Sequence, residues 1–148
     1  MNYQGSNYSI VKVSGISMKP FFQSEEILLV KKDINVNNLK KGQCVLVDGN
    51  IHRYLHNNQV KGDRLLYFDP TTSQPSAFVI GKILHRKNKK FLSDHNDYVL
   101  RNIAKTISTL SNLNRESNPF RIIILLLIIF LSYSHRTIEL FTAREFKT

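Results

Sequence analysis

Short apolar runs separated by turn signals constrain the fold of residues 1–93 more than any other feature of this chain. Strand-like runs cover residues 8–13, 27–30, 43–47, 51–55 and 77–85. Asp48-Gly49-Asn50 is a strong hairpin signal, since Gly and Asn both tolerate a positive φ. Several short strands joined by turns predict a mainly β domain.

The pattern changes to helical spacing after residue 93. Ser93 or Asp94 could cap a helix. The apolar residues that follow at this spacing are Val99, Ile103, Ile107 and Leu110. We therefore expect an amphipathic helix over residues 94–113.

Residues 114–148 are predicted to be a linker followed by an apolar helix. Pro119 could open that helix, and large apolar residues run without interruption from 122 to 131. The wider segment 120–133 would reach about 20 Å, against about 30 Å of bilayer hydrocarbon. A membrane anchor, either a short span or an interfacial helix, is the leading interpretation. A buried core helix or a dimer helix is the alternative.

Charge and cysteine content limit the partners and the compartment. The net charge of +10 favours anionic partners, either a membrane surface or nucleic acid. We expect no nucleic-acid partner, because the basic residues are dispersed and form no helix-turn-helix or zinc-finger pattern. The single cysteine, Cys44, lies in an apolar run and is expected to be a small buried side chain. Residues 1–9 lack the apolar core of a signal peptide, so we expect no N-terminal anchor.

Ser17 is a candidate nucleophile in the stretch 13–20. Gly15 relieves steric restriction before the serine, and Pro20 ends regular structure after it. A serine requires a base to become nucleophilic. The alternative is an ordinary connection between a strand and a turn.

His52, Asp63 and Asp69 follow Ser17 in an order that suits serine catalysis. A neutral imidazole is well matched to accept a serine proton near pH 7, and a carboxylate could orient it. His56, later in the same strand, is the rival base. The other histidines show no metal-ligand spacing, and no phosphate loop or dinucleotide motif is present, so we expect no metal and no cofactor.

Motifs over residues 10–85 resemble those of the signal peptidase I / LexA-like serine peptidase superfamily. Residues 13–20 resemble its nucleophile box, Ser-Gly-x-Ser-Met-x-Pro, and residues 51–53 resemble the box that carries the general base. The other similar segments are 41–47, with Gln43 where the family has Asp, 61–63 with Asp69-Pro70, and 81–83. Because a histidine precedes Arg53, the resemblance is to the endoplasmic-reticulum and archaeal branch.

The resemblance implies a coiled antiparallel β peptidase domain and a set of site residues. Ser17 would be the nucleophile, His52 the base and Asp69 the orienting carboxylate, with Asp63 as a supporting carboxylate. Substrates would bind as extended strands with small residues before the cut. Gly15 stands where relatives often have a side-chain donor, so backbone N–H groups would hold the oxyanion. We assign the substrate and oxyanion contacts to Gly15, Ile16 and Met18.

The sequence therefore predicts a small stand-alone serine endopeptidase that cleaves an exported or leader-type peptide near a membrane. We expect it to be membrane-associated, or otherwise cytoplasmic. A non-catalytic peptide-binding module of the same fold, tethered to a membrane, is the alternative. A LexA-like regulator is disfavoured, because the base position is not lysine and no DNA-binding segment precedes Ser17.

Overall fold

A computed structural model describes residues 7–57, 59–65, 73–87, 89–95, 97–114 and 116–145. Within these ranges the chain forms eight strands, two α-helices and a short 3₁₀ helix. The strands are β1 Tyr8–Lys12, β2 Ile27–Lys32, β3 Cys44–Val47, β4 Asn50–His56, β5 Gln59–Lys61, β6 Ala77–Arg86, β7 Lys89–Asp94 and β8 Arg144–Glu145. The α-helices are α1 Tyr98–Leu113 and α2 Arg121–Thr142, and the 3₁₀ helix is Val36–Asn38.

The strands form one antiparallel sheet organised around β6. The main path is β1-β2-β6-β3-β4-β5, with β7 on β6 and β8 on β7. β6 is ten residues long, which lets its first residues pair with β3 and its later residues pair with β7. Gly81 is required there, because a Cβ at this position would lie 1.7 Å from the Ser93 carbonyl oxygen. The prediction of a mainly β domain with helices after it is confirmed.

The β3–β4 hairpin has the turn that the sequence predicted. Val47 pairs with Asn50, so the turn contains only Asp48 and Gly49. Both have a positive φ, 48° and 77° respectively. This turn geometry suits the right-handed twist of the two strands, and it places His52 at a defined position on β4.

Helix α1 begins later than the sequence suggested. Ser93 and Asp94 belong to β7, and the residue that caps the helix is Asp97, whose side chain accepts from the N–H groups of Val99 and Leu100. The buried face is also rotated from the predicted stripe, since Val99 is 48% exposed. The buried residues of α1 are Leu100, Ile107, Ser108 and Ser111. The small serines allow α1 to pack closely against the sheet and α2.

The main hydrophobic core lies between the sheet and the two helices. It includes Phe21 and Phe22 from the loop after β1, Ile107 from α1 and Ile128 from α2. Cys44 lies in this core, as the sequence predicted. Burial raises the pKa of the Cys44 thiol to about 12, so the thiolate needed for reactivity is scarce near neutral pH.

Helix α2 is longer than the apolar run that predicted it. It begins at Arg121 rather than Pro119 and continues through polar residues to Thr142. Its 22 residues correspond to about 33 Å. By length and composition alone, α2 could cross a membrane. One face is nevertheless packed along the whole helix, and its buried residues are Ile124, Ile128, Ser132, His135 and Glu139.

A buried polar network attaches the C-terminal half of α2 to the sheet. The Lys82 ammonium donates to Glu139 at 2.9 Å and also lies 3.2 Å from a carboxylate oxygen of Glu26. The other oxygen of Glu139 lies 2.5 Å from Nε2 of His95 and 3.5 Å from Nδ1 of His135. These partners satisfy a carboxylate that would be costly to bury alone.

The network predicts acid sensitivity through His135. Burial, together with the positive charges near it, lowers the pKa of His135 to about 2, although Glu139 opposes the shift. The unfolded chain protonates this histidine near pH 6.5, whereas the folded protein does not. The free energy of unfolding should therefore be highest above pH 6.5. It should fall by up to about 1.4 kcal/mol per pH unit as the pH drops below that value.

Urea unfolding of the protein and of His135→Met at pH 7.5, 6.5 and 5.5 measures this dependence. The variant should lose less stability than the unsubstituted protein between pH 6.5 and 5.5, whatever its absolute stability. Equal slopes would contradict the assignment. Glu139 does not interfere in this window, because its pKa is lowered by its histidine and lysine partners despite its burial.

Candidate active site

Ser17 lies in a tightly anchored loop between β1 and β2. Gly15 has a φ of 89°, a conformation that favours glycine, and reverses the chain just before the serine. The side chains of Met18, Phe21 and Phe22 are buried and attach the loop to the core. The backbone N–H of Arg64 donates to the Ser17 carbonyl at 2.9 Å. Ser17 is thus partly exposed on a loop whose main chain is anchored at both sides.

His52 faces Ser17 from strand β4. It lies on β4 opposite Val45 and is only 6% exposed. Its Nε2 is 3.4 Å from Oγ of Ser17, although the two residues are 35 positions apart in the sequence. The contact is longer than a typical O–H···N hydrogen bond, but apo enzymes often show such spacing before substrate binds. The structure therefore brings the predicted nucleophile and base together.

The segment Lys61-Gly62-Asp63 contacts the structural elements that surround Ser17 and His52. The buried Lys61 ammonium donates to the carbonyl oxygens of Ser111 and Asn114 at 2.6 and 2.5 Å, which satisfies acceptors at the end of α1. Gly62 lies directly against Ser17. Lys61 therefore contacts the end of α1, and Gly62 contacts the Ser17 loop. Asp63 contacts β4.

Asp63 pairs with the residue next to His52. Its two oxygens accept from Nε and Nη2 of Arg53 at 2.7 and 2.6 Å, and both side chains are fully buried. The sequence predicted Asp63 as a carboxylate supporting the base; its contact is with the Arg53 guanidinium. Asp69, the predicted orienting carboxylate, lies outside the described residues. Since Nε2 of His52 faces Ser17, an orienting carboxylate would have to accept from Nδ1–H.

The close approach of Gly62 to Ser17 gives a test of positioning. A Cβ on residue 62 would lie 2.8 Å from the Ser17 Cβ and 3.0 Å from its carbonyl oxygen. Gly62→Ala should therefore displace the nucleophile. Because a misplacement of about 1 Å can cost roughly 10²-fold in rate, we expect Ser17 reactivity to fall by about that factor.

The Gly62→Ala measurement combines the rate of Ser17 acylation with the thermal unfolding midpoint. The predicted result is slow acylation of a protein that still unfolds cooperatively. If the folded variant is acylated at the original rate, the loop accommodates the added methyl group without moving Ser17 away from His52, and the prediction is wrong.

A small cavity opens beside the nucleophile. It has a volume of about 30 Å³ and is bounded by residues of the Ser17 loop and the β3–β4 hairpin. Gly15 and Met18, two predicted contact residues, contribute to its lining. The third, Ile16, is largely exposed. A space of this size admits a water molecule or a methyl group but not a large side chain.

Sequence reasoning missed several buried polar residues. Arg53 appears in the sequence analysis only as part of a motif. The histidines show no metal-ligand spacing in the sequence, yet the rings of His95 and His135 meet with centroids 5.2 Å apart. Together with Glu139 they bring potential metal-ligand atoms within 4.8 Å of one another. The spacing of His135 and Glu139 on one helix was the available signal. His56, the rival base, is exposed at the end of β4.

Comparison with known proteins adds no relative to this description. No family model, curated protein or solved structure matches the chain.

Proposed function

We propose that the protein is a serine endopeptidase of the signal peptidase I / LexA-like type, with Ser17 as nucleophile and His52 as base. The observation that carries this proposal is the 3.4 Å approach of Nε2 of His52 to Oγ of Ser17. The family motifs independently assign these roles to the same two residues. The antiparallel sheet that holds them is compatible with the implied peptidase fold.

The proposed reaction proceeds through an acyl-enzyme. His52 accepts the hydroxyl proton as Ser17 Oγ attacks the peptide carbonyl, and backbone N–H groups of the nucleophile loop stabilise the oxyanion. The C–N bond then breaks as His52 returns the proton to the leaving amine. Water, deprotonated by His52, attacks the ester, and the proton passes to Ser17 as the acid product leaves. Asp69 is proposed to orient His52, while Asp63 keeps Arg53 in place beside it.

The small cavity supports a preference for small residues next to the scissile bond. Its volume of about 30 Å³ suits a side chain no larger than that of Ala. A substrate bound as an extended strand would present every second side chain to the protein surface that holds this cavity. We therefore propose exported or leader-type peptides with Ala or Gly before the cut as the substrate class.

The outward face of α2 supports membrane association with the helix lying in the interface. Large apolar side chains are exposed along its length: Ile122, Ile123, Leu126, Leu127, Phe130, Tyr133, Leu140 and Phe141. The opposite face packs against the protein from Ile124 to Glu139. This packing favours a helix that rests on the bilayer over one surrounded by lipid. The net charge of +10 would add attraction to anionic headgroups.

Flotation with vesicles of phosphatidylglycerol and phosphatidylcholine tests this association. Leu126→Gln combined with Phe130→Gln should weaken binding at least roughly tenfold, because two large side chains no longer enter the acyl region. Thr137→Gln, a change of an exposed polar residue on the same helix, is the matched control. Deleting α2 would be a poorer test, since it would also remove Glu139 from Lys82. Unchanged flotation of the double variant would rule out this surface.

The catalytic proposal is tested by labelling with an active-site serine acylator. Intact mass and peptide mapping should show one adduct on Ser17 that is absent in Ser17→Ala and in His52→Ala. If the folded protein forms no adduct and cleaves no small-residue peptide in the presence of vesicles, catalysis is refuted. The non-catalytic peptide-binding module would then be the better description.

A further inference from the structure

A groove with a volume of about 390 Å³ lies between the nucleophile loop and α2. One wall is polar and basic, with Lys19, Gln23 and Arg64, and the other is formed by Leu125, Ile129 and Tyr133 of α2; Pro20 completes the lining. This volume falls in the range of sites that hold several side chains of a ligand. The groove is distinct from the small cavity beside Ser17, which no residue of α2 lines.

The groove lies next to the Ser17 segment of the loop. Lys19 is two residues after Ser17, and the Arg64 backbone donates to the Ser17 carbonyl. A peptide whose scissile bond lies at Ser17 could therefore place in the groove a segment that is close in sequence to that bond.

The two cations of the groove are available to a ligand. Among the described residues, no carboxylate forms an ion pair with Lys19 or Arg64. Arg64 is exposed and Lys19 is partly buried. Two cations that face an apolar wall complement a segment that carries both carboxylates and apolar side chains.

We propose that this groove recognises an acidic, apolar segment of the peptide substrate that flanks the scissile bond. The inference rests on the proposed peptidase function and names its substrate class more closely. A peptide is favoured over a phospholipid because both cations of the groove lie on backbone that adjoins Ser17. Of the α2 residues in the groove, Leu125 and Ile129 are only partly exposed, whereas Tyr133 belongs both to the groove and to the outward face.

The test measures binding of short fluorescent peptides to full-length Ser17→Ala at low ionic strength. Three peptides share an Ala-rich centre and a flank in which Leu alternates with Glu, Gln or Lys. The Glu peptide should bind roughly tenfold more tightly than the Gln peptide, and the Lys peptide should bind most weakly. Adding Lys19→Gln and Arg64→Gln should remove the preference. Adding Lys87→Gln and Lys90→Gln, an equal charge change at two exposed lysines of the β6–β7 hairpin, should not.

Other results overturn the inference. Equal affinity for the three peptides, or equal loss of preference in the two charge variants, would show that the groove does not select acidic segments. If Lys19→Gln with Arg64→Gln reduced only binding to phosphatidylglycerol vesicles, the groove would be a lipid-headgroup site. Ser17 acylation in the otherwise unsubstituted protein reports catalysis separately. Charge-selective binding with neither acylation nor peptide cleavage would therefore support the groove while refuting the peptidase proposal.

Discussion

Replacing Ser17 with Ala is expected to abolish peptide hydrolysis, with kcat/KM lowered on the order of 10⁴-fold or more. His52→Ala should give a loss of similar size, because without the base the Ser17 hydroxyl remains a poor nucleophile. The double variant Ser17→Ala with His52→Ala should lose no more activity than either single variant, since both substitutions disable the same step. Turnover of an Ala-containing peptide in the presence of vesicles, with product detected by mass spectrometry, provides the measurement.

Ser24→Ala is the matched control for this experiment. Ser24 is an exposed serine in the same loop that lines neither the small cavity nor the groove, and its loss should leave turnover nearly unchanged. Near-normal hydrolysis by either Ser17→Ala or His52→Ala would dismiss the assignment. So would an equal loss in Ser24→Ala, since the loop as a whole would then be responsible.

Asp63→Asn is expected to cause the largest loss of stability, about 3–5 kcal/mol in the free energy of unfolding. The substitution leaves the Arg53 guanidinium buried without its counter-ion. Arg53 also donates to the Gly42 carbonyl at 2.9 Å and lies 4.2 Å from the centre of the Phe21 ring. The guanidinium therefore cannot reach water without disrupting the core. Urea unfolding at pH 7.5 measures the loss.

Two further variants make this prediction specific to the buried pair. Asp33→Asn removes an exposed carboxylate at a position with positive φ that Asn tolerates, so it should change stability by less than about 0.5 kcal/mol. Arg53→Met with Asp63→Leu removes both charges and should be more stable than Asp63→Asn alone. A loss below about 1 kcal/mol in Asp63→Asn would mean that Arg53 finds another partner or solvent.

The β domain was predictable because its signals are local. Short apolar runs and the Asp48-Gly49 turn specify strands and hairpins through the chain's own geometry. The start of α1 was less predictable, because Ser93, Asp94 and Asp97 all have helix-capping chemistry. Pairing of β7 with β6 takes Ser93 and Asp94 into the sheet, and Asp97 becomes the cap. A tertiary contact thus decided a boundary that local propensity left open.

The candidate site was also only partly predictable from the sequence. The residue types Ser17 and His52 could be selected from the sequence because few side chains serve as nucleophile and base. Their approach to 3.4 Å depends on where β4 lies relative to the loop after β1. The partner of Asp63 could not be predicted from the sequence. A carboxylate can bind the imidazole of His52 or the guanidinium of the neighbouring Arg53, and the residue types alone do not decide between them.

The sequence by itself determined the order and type of most elements, the residue types of the candidate site and the apolar character of α2. Only the tertiary structure decided which face of α2 is buried and how far the helix continues. The apolar run ends near residue 131, but His135 and Glu139 extend the buried face because Lys82 and His95 meet them from the sheet. Hydropathy is a property of each residue, whereas a satisfied buried charge requires partners that are distant in the chain.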